Sequence, residues 1–217
     1  FNLNRAQVVD ENFVAWVKST DAESASERTS ADAVIDSETG LTARDLRELF
    51  ESQVVARHQD LESRAMRARN EGFYTIGSAG HEGNAVVGRI TRHTDLAFLH
   101  YRSGAFMAER ARKVPGLDFV RDTMLSFAAS KEDPIAGGRH KVWGSVELCV
   151  PPQTSTIASH LPKAVGAAIA FARAKRLQLS PRLPADMIVV CSFGDASANH
   201  AVAQTAFNAA AHATHQH

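Results

Sequence analysis

The stretch that decides the fold is residues 187–208, Met-Ile-Val-Val-Cys-Ser-Phe-Gly-Asp-Ala-Ser-Ala-Asn-His-Ala-Val-Ala-Gln-Thr-Ala-Phe-Asn. It opens with a run of β-branched and apolar residues, which predicts a buried strand, and ends in an alanine-rich pattern typical of a helix. Gly194-Asp195-Ala196 lies between them. In α/β folds, phosphorylated ligands and their metal ions bind where such a strand ends and a helix begins. Asp195 is therefore the first candidate functional residue.

The rest of the chain repeats this alternation. Thr42-Ala-Arg-Asp45 resembles a capping box, from which helical spacing continues to Arg69. The pattern then predicts strands at 73–76, 96–99 and 187–193, and helices at about 81–91, 104–113, 162–177 and 198–213. Small residues around Gly166 predict a helix face slim enough to pack closely on a sheet. Strands that alternate with helices indicate an α/β fold with a doubly wound, largely parallel sheet.

Two segments depart from the alternation. Residues 15–41 are rich in small polar and charged residues and have no apolar period, which predicts a partly irregular amino-terminal arm over 1–41, mobile or wrapped on the surface. Residues 131–153 contain three Gly and three Pro without a sustained period, which predicts a long functional or mobile loop. The folded domain is expected to cover 42–217.

Composition excludes several classes of protein. Lys+Arg and Asp+Glu both total 24, so no basic surplus favours nucleic acid or an anionic membrane as a partner. No apolar run approaches the ~20 residues of a bilayer span. Cys149 and Cys191 lie in apolar, strand-like settings, which favours reduced core thiols in a cytoplasmic protein over a disulfide.

Asp195 has two interpretations. It can cap the helix that follows, a role worth about 1 kcal/mol. Alternatively it is a magnesium ligand, because a carboxylate after an apolar strand is costly unless a cation meets it, and magnesium shares its shell with substrate phosphates. Ser197 or Asn199 could cap the same helix, which leaves Asp195 available for the metal.

Other segments offer matching candidates. Arg102 follows the strand predicted at 96–99, on the rim where Asp195 is expected, and its planar fork suits phosphate oxygens; the alternative is a solvated surface arginine. The hydroxyl-rich segment 154–162 either caps the next helix or presents its groups to a ligand or a monovalent cation.

Histidines supply one candidate for proton transfer. His140 lies on the loop predicted at 131–153 and is the residue to test as a proton carrier. His81-Glu82 begins like a zinc-protease motif, but Ala85 stands where the second ligand is needed.

Taken together, these segments resemble the α subunit of the thiamine diphosphate-dependent 2-oxoacid dehydrogenases, above all the branched-chain type. The resemblance runs from about Gly72 to the end of the sequence, in the family's order. It is carried by Phe73-Tyr-Thr-Ile with Gly77-Ser-Ala-Gly-His-Glu-Gly83, Thr94 to Arg102, Gly138-Arg139 with Gly144-Ser145, Thr154 to Gly166, and Gly194-Asp195 with Asn208.

The resemblance implies roles for several residues near the cofactor. Tyr101 and Arg102 match residues that contact the diphosphate. Ser155 and Ile157 fall on the family's Ser-Pro-Leu turn near the aminopyrimidine, although Thr156 replaces the Pro. His100 occupies a place near the cofactor that is often Gln in relatives, and no family role falls on His140.

The resemblance also implies metal ligands. Gly194, Asp195 and Ala196 stand on the Gly-Asp-Gly that opens the family's cofactor motif, with Asp195 as the magnesium ligand. Ala196 replaces the third Gly, which requires that this position avoid positive φ. Thr154, Ser159 and His160 match a potassium site of some relatives, with His160 in place of Gln.

The function implied is thiamine diphosphate-dependent oxidative decarboxylation of a 2-oxoacid, with acyl transfer to a lipoyl group of an acyltransferase partner. The expected partner is a β subunit or fused β portion in an α2β2-type or dimeric assembly, without nucleic acid or membrane. In the family a second strand completes the magnesium shell. The sequence is expected to end before it, so that the segment alone is inactive and binds neither magnesium nor cofactor. The alternatives are a pyruvate- or acetoin-type thiamine enzyme and a non-catalytic, partner-dependent fragment.

Overall fold

The computed structural model describes residues 5–19, 29–153, 155–179 and 184–215. The chain divides into two compact units, 1–46 and 47–217. The first contains helix α1 (Arg5–Ser19) and an antiparallel pair of short strands, β1 (Val34–Asp36) and β2 (Leu41–Thr42). The segment predicted as irregular therefore contains regular structure at both ends, while residues 20–28 lie outside the described residues.

The predicted capping box forms at the start of helix α2 (Ala43–Ala68). The Asp45 N–H donates to Thr42 Oγ1 at 3.2 Å, and the Thr42 N–H donates to Asp45 Oδ2 at 2.9 Å. This reciprocal pair satisfies backbone donors that have no partner within the helix. The predicted helix is confirmed to within one residue at each end.

The 47–217 unit is built on two parallel strands. β3 (Leu96–Phe98) pairs with β6 (Val189–Cys191), and Leu96, Ala97 and Phe98 lie opposite Val189, Val190 and Cys191. The helices are α3 (Asn84–Ile90), α4 (Gly104–Ala111), α5 (Phe119–Phe127), α6 (Leu161–Arg176) and α7 (Ala201–His215). The structure is thus mixed α/β, with a short parallel sheet and helices, which is compatible with the predicted class. The sequence pattern does not predict helix α5.

Two sequence predictions are wrong. Residues 73–76 form no strand, and no strand of the described chain pairs with them. Side chains hold this segment instead, because the Tyr74 ring stacks on Phe127 with centroids 6.2 Å apart. The predicted loop 131–153 contains an antiparallel pair, β4 (Trp143–Ser145) and β5 (Val150–Gln153). Pro134, Gly137 and Gly138 lie in turns, whereas Gly144 lies in β4 and Pro151 and Pro152 lie in β5, where the pairing register is irregular.

The core of this unit surrounds α4. The buried cluster combines residues of β3, α4, α5 and the β4–β5 pair: Ala97, Leu99, Phe106, Met107, Ala108, Ala111, Phe119, Trp143, Leu148 and Val150. Helix α3 crosses α4 closely at Gly88, where a Cβ would lie 2.8 Å from the Phe106 carbonyl oxygen. Only glycine allows this approach.

Two charged side chains are completely buried in α4. Glu109 accepts from Ser52 Oγ at 2.6 Å and from Arg89 Nη1 at 2.9 Å. Arg110 donates to the carbonyl oxygens of Asp95 and Leu148 at 2.7 and 3.1 Å. Burial lowers the pKa of Arg110 to about 10. These groups tie α4 to α2, α3 and the start of β3.

The elements around β6 are packed more openly than the sequence predicts. Val189–Cys191 are only half-buried, and a Cβ added to Gly166 of α6 would meet no atom within 4 Å. The close contact expected of the small residues in α6 is therefore not made there. Cys149 and Cys191 are free, as predicted, but half-buried rather than core residues. Within the described residues, no helix is long and apolar enough to cross a membrane.

Candidate functional site

The ends of the two parallel strands bring the main candidates together. Because β3 and β6 run in the same direction and in register, the segments that follow them leave the sheet at one edge. The Ser192 N–H donates to the Phe98 carbonyl at 2.9 Å, which continues the pairing past β6. A Cβ on Gly194 would lie 3.4 Å from His100 Nε2. Residues 100–102 and 194–195 thus share one edge of the sheet.

Arg102 is half-buried and held at this edge by two contacts. Its Nη1 donates to the Gly77 carbonyl oxygen at 2.6 Å, and its guanidinium carbon lies 5.2 Å from the centre of the Tyr101 ring. The Tyr101 carbonyl accepts from Trp143 Nε1 at 2.8 Å, which fixes the backbone before Arg102. The remaining N–H groups of the guanidinium suit an anion.

Two stacked histidines lie beside Arg102. The His81 and His100 ring centroids are 4.8 Å apart and their planes differ by 8°. Burial, with the charges of His81, His160 and Arg102, lowers the pKa of His100 to about 4. Burial and Arg102 also lower the pKa of His81. Both rings are therefore neutral near pH 7.

Hydrogen bonds fix the tautomers of the buried histidines. His100 Nδ1 lies 3.3 Å from the backbone nitrogen of Arg102 and accepts its N–H, which leaves the proton on Nε2. His160 Nε2 lies 2.7 Å from the Ser192 carbonyl, so it carries the proton there. Both rings thus direct an Nε2–H toward the segment 192–194. Burial also lowers the pKa of His160.

Asp195 is exposed at this edge and opens a short 3-10 helix (Asp195–Asn199) ahead of α7. The residue before it, Gly194, occupies the cap position, and no side chain caps this short helix. The helix-capping interpretation of Asp195 is therefore not supported. Ala196 does not adopt a positive φ, so replacement of the family's third Gly is sterically allowed.

The hydroxyl-rich segment lies near the same edge. Ser155 Oγ is 3.5 Å from Tyr74 Oη. Burial raises the pKa of Tyr74, and the charge of Arg102 opposes part of that rise. Ile157 is exposed, and Ser159 Oγ donates to the Thr156 carbonyl at 3.0 Å. His160 occupies the position before α6, and its side chain makes no capping bond to that helix. Thr154 lies outside the described residues.

The loop candidate His140 is exposed, whereas the next residue is buried. Lys141 Nζ lies over the Trp143 ring, 3.0 Å from its centre, and near the rings of Tyr74 and Phe127. Burial lowers the pKa of Lys141 well below its ordinary value. No described contact joins His140 to the other candidates.

This arrangement combines one arginine, neutral imidazole donors and one carboxylate. Among the described residues no group of three or more His, Cys, Asp and Glu side chains could hold a metal ion. A single carboxylate is nevertheless what magnesium uses when phosphate oxygens and water complete its shell. The edge therefore suits an anion that brings its own metal ligands.

Sequence reasoning misses three residues that belong to this region: His81, Tyr74 and Asp60. The sequence shows His81 in an incomplete zinc motif, and His81 and Tyr74 in segments that carry the resemblance, but it gives neither residue a role at the site. No sequence signal indicates that Asp60, in the middle of α2, contacts the segment before His81.

Comparisons with known proteins leave the family open. No protein-family model matches the chain, and no curated protein matches it significantly. The family therefore remains a proposal that rests on the residues described above.

Proposed function

We propose that this chain is the α portion of a decarboxylating 2-oxoacid dehydrogenase component. The observation that carries the proposal is the in-register parallel pairing of β3 and β6, which brings Arg102 and Asp195 to one edge of the sheet. Ligands in open α/β sheets bind at the carboxyl ends of the strands. A doubly wound sheet around these two strands is part of the proposal.

The residues present fit a magnesium diphosphate. Arg102 keeps N–H donors besides the one bonded to Gly77, and Tyr101 lies beside it. The exposed Asp195 carboxylate is free of a capping bond and can supply one magnesium ligand. Ala196 avoids the strained backbone that would exclude the motif. When bound, thiamine diphosphate supplies the carbon nucleophile and electron sink for decarboxylation.

The chain's own residues then have distinct tasks. Tyr101 and Arg102 bind the diphosphate, and Asp195 binds its magnesium. Ser155 and Ile157 border the aminopyrimidine. We further propose that Thr154, Ser159 and His160 contribute to a potassium site, since a neutral His160 leaves Nδ1 as an acceptor.

The rest of the reaction needs partners. A β subunit or fused β portion completes the active site, in an α2β2-type or dimeric assembly, and the acyl unit passes to a lipoyl group of the acyltransferase. The half-buried free thiols agree with the reducing cytoplasm as the compartment.

Calorimetry tests the proposal on the complete protein together with its β partner. Thiamine diphosphate and magnesium are expected to bind together, and Asp195→Ala is expected to abolish the magnesium dependence. The control is Glu132→Gln, which removes another exposed carboxylate and is expected to bind like the parent. If the parent complex does not bind the cofactor and Asp195→Ala behaves identically, the chain is the non-catalytic alternative.

A second assay selects the substrate. Decarboxylation of branched-chain oxoacids in preference to pyruvate supports the branched-chain assignment. Preference for pyruvate, or activity with acetoin, assigns the chain to one of the other thiamine enzymes.

A further inference from the structure

Asp60 is a buried carboxylate that contacts the segment holding Arg102. It lies in the middle of α2 and is 4% exposed. Its Oδ2 accepts the backbone N–H of Ser78 at 2.6 Å. A short charge-assisted bond of this kind is stronger than a neutral one and fixes the peptide that donates it.

The same peptide group carries the acceptor for Arg102. The Ser78 N–H and the Gly77 carbonyl belong to one peptide bond, and no peptide bond of the described chain is cis. In a trans peptide the N–H and the C=O point in opposite directions. Asp60 therefore bonds one side of this peptide while Arg102 Nη1 bonds the other, at 2.6 Å. Hydrogen bonds linked in this way polarise and strengthen one another.

Steric contacts hold the bridging peptide in place. A Cβ on Gly77 would lie 2.6 Å from Asp60 Oδ2, so any side chain there must displace the carboxylate. On the far side, a Cβ on Gly104 would lie 2.6 Å from Ser78 Oγ. The peptide is thus clamped between α2 and α4.

Nearby cations support the Asp60 carboxylate. Arg57 Nη1 lies 3.9 Å from Oδ2, and the charges of Lys141 and Arg64 also attract it. Burial raises the pKa of Asp60, while the Ser78 bond and these cations oppose that rise. Burial of the Asp60 carboxylate costs free energy, and carboxylates with pKa values shifted in this way are typical of functional sites.

We propose that Asp60 and Gly77 are positioning residues, which act through the Gly77–Ser78 peptide to hold the Arg102 guanidinium with its free N–H groups toward the anion. This rests on the proposed function, because it gives Arg102 a diphosphate to bind. Neither Asp60 nor Gly77 contacts the ligand itself.

A double-mutant cycle on the complete protein with its β partner tests the inference, with inorganic pyrophosphate and magnesium as the probe in calorimetry. Asp60→Ala is expected to weaken pyrophosphate binding about tenfold, the loss of one well-placed charged hydrogen bond. In an Arg102→Ala background the same change is expected to have no further effect, because Asp60 acts only through Arg102. Asp60→Asn keeps an acceptor for Ser78 and is expected to restore most of the affinity.

Asp133→Ala is the matched control. Asp133 is also 4% exposed and attracts Lys141, but it accepts from the backbone of Ile135 at 3.0 Å, away from Arg102. It is expected to lower the melting temperature as Asp60→Ala does, and to leave pyrophosphate affinity unchanged. Equal losses of affinity in the two variants would reduce Asp60 to a structural role and overturn the inference.

A second measurement needs no ligand. Rotation of the Arg102 guanidinium, followed by nuclear magnetic resonance of its Nη groups, is expected to be slow in the parent and in Asp133→Ala, and fast in Asp60→Ala. If the parent fails to bind pyrophosphate, the proposed function fails and this rotation alone decides the positioning role. Unchanged rotation in Asp60→Ala overturns the positioning role whatever the affinities show.

Discussion

Helices α4 and α7 follow the two strands of the parallel sheet, and their burial is the reverse of what their compositions indicate. Helix α4 contains Glu109 and Arg110, yet all of its residues are buried. Helix α7 contains no Asp, Glu, Lys or Arg, yet only Ala203 and Ala206 are buried. Hydropathy therefore does not decide which of the two helices lies inside.

The difference follows from the surroundings of each helix. The β3 half (α3, β3 and α4) supplies partners for its buried charges from side chains and backbone carbonyls. The β6 half (α6, β6 and α7) leaves an open apolar groove of about 450 Å³ among its three elements. The first half should therefore be sensitive to single changes, and the second tolerant of them.

Glu109→Ala should have the largest effect. It leaves Arg89 and Arg112 without a buried counter-charge, and breaking such an ion pair costs about 3–5 kcal/mol of unfolding free energy. Glu48→Ala is the control, because Glu48 bonds the same Arg89 Nη1 at 2.8 Å but is 30% exposed, so it should cost about 1 kcal/mol or less. Urea denaturation measures both. Equal costs would show that the buried Glu109 contributes no more than the partly exposed Glu48, and that the β3 half is not especially sensitive to the loss of a buried charge.

Gly88→Ala should have the next largest effect. The added Cβ meets the Phe106 carbonyl at 2.8 Å and the Glu109 Cβ at 3.3 Å, so α3 must shift from α4 at a cost of about 1–3 kcal/mol. Gly166→Ala in α6 meets nothing within 4 Å and should be stabilising by up to about 1 kcal/mol. Thermal unfolding compares the two. A destabilising Gly166→Ala would mean that the β6 half is more tightly packed than described.

These packing contrasts mark the limit of what the sequence predicts. The apolar runs before residues 99 and 192 correctly predict two strands, and their parallel pairing places Arg102 and Asp195 on one edge. The period of residues 73–76 also fits a strand, but a strand needs a partner ladder, and Tyr74 instead stacks on Phe127. A sequence pattern describes one segment at a time, whereas the pairing of a strand depends on how the whole chain folds.

Buried polar groups are the part of the site that pattern misses. Asp60 lies on a helix whose other charged residues are mostly exposed, and its role depends on a peptide that is distant in the sequence. Glu109 and Arg110 are of residue types expected on the surface, and only the tertiary arrangement supplies their partners. His81 is similar, because its stacking partner His100 comes from another segment.

His100→Asn should reduce the dependence of the unfolding free energy on pH, because His100 is a buried histidine between β3 and α4. His100 ionises at about 4 in the fold, against an ordinary pKa of 6.5. Its contribution to stability is therefore fully present above pH 6.5 and is lost as the pH falls through 4. The parent should lose about 1–2 kcal/mol more than His100→Asn between pH 7 and pH 4, with allowance for solvent around the ring.

His200→Asn is the control for that pH dependence. His200 Nδ1 lies 3.3 Å from the Val202 backbone nitrogen, as His100 Nδ1 does from that of Arg102, but His200 is exposed. Asn keeps an acceptor for the backbone N–H in both variants. Urea unfolding at a series of pH values should show a parent-like curve for His200→Asn. A His100→Asn curve that also follows the parent would contradict the assignment.

Ile169→Glu should have the smallest effect. Ile169 is 42% exposed and lines the groove of the β6 half, so a charge there loses no packed neighbour and should change the unfolding free energy by about 0.5 kcal/mol or less. Leu161→Ala in the same helix is the comparison, because Leu161 is 3% exposed and packs with Ala203 and Ala206; it should cost about 2–3 kcal/mol. Denaturant titration of the two variants decides whether the groove is open in solution. A cost for Ile169→Glu that approaches that of Leu161→Ala would mean that the groove is closed, and that the contrast between the two halves is smaller than the burial of α4 and α7 indicates.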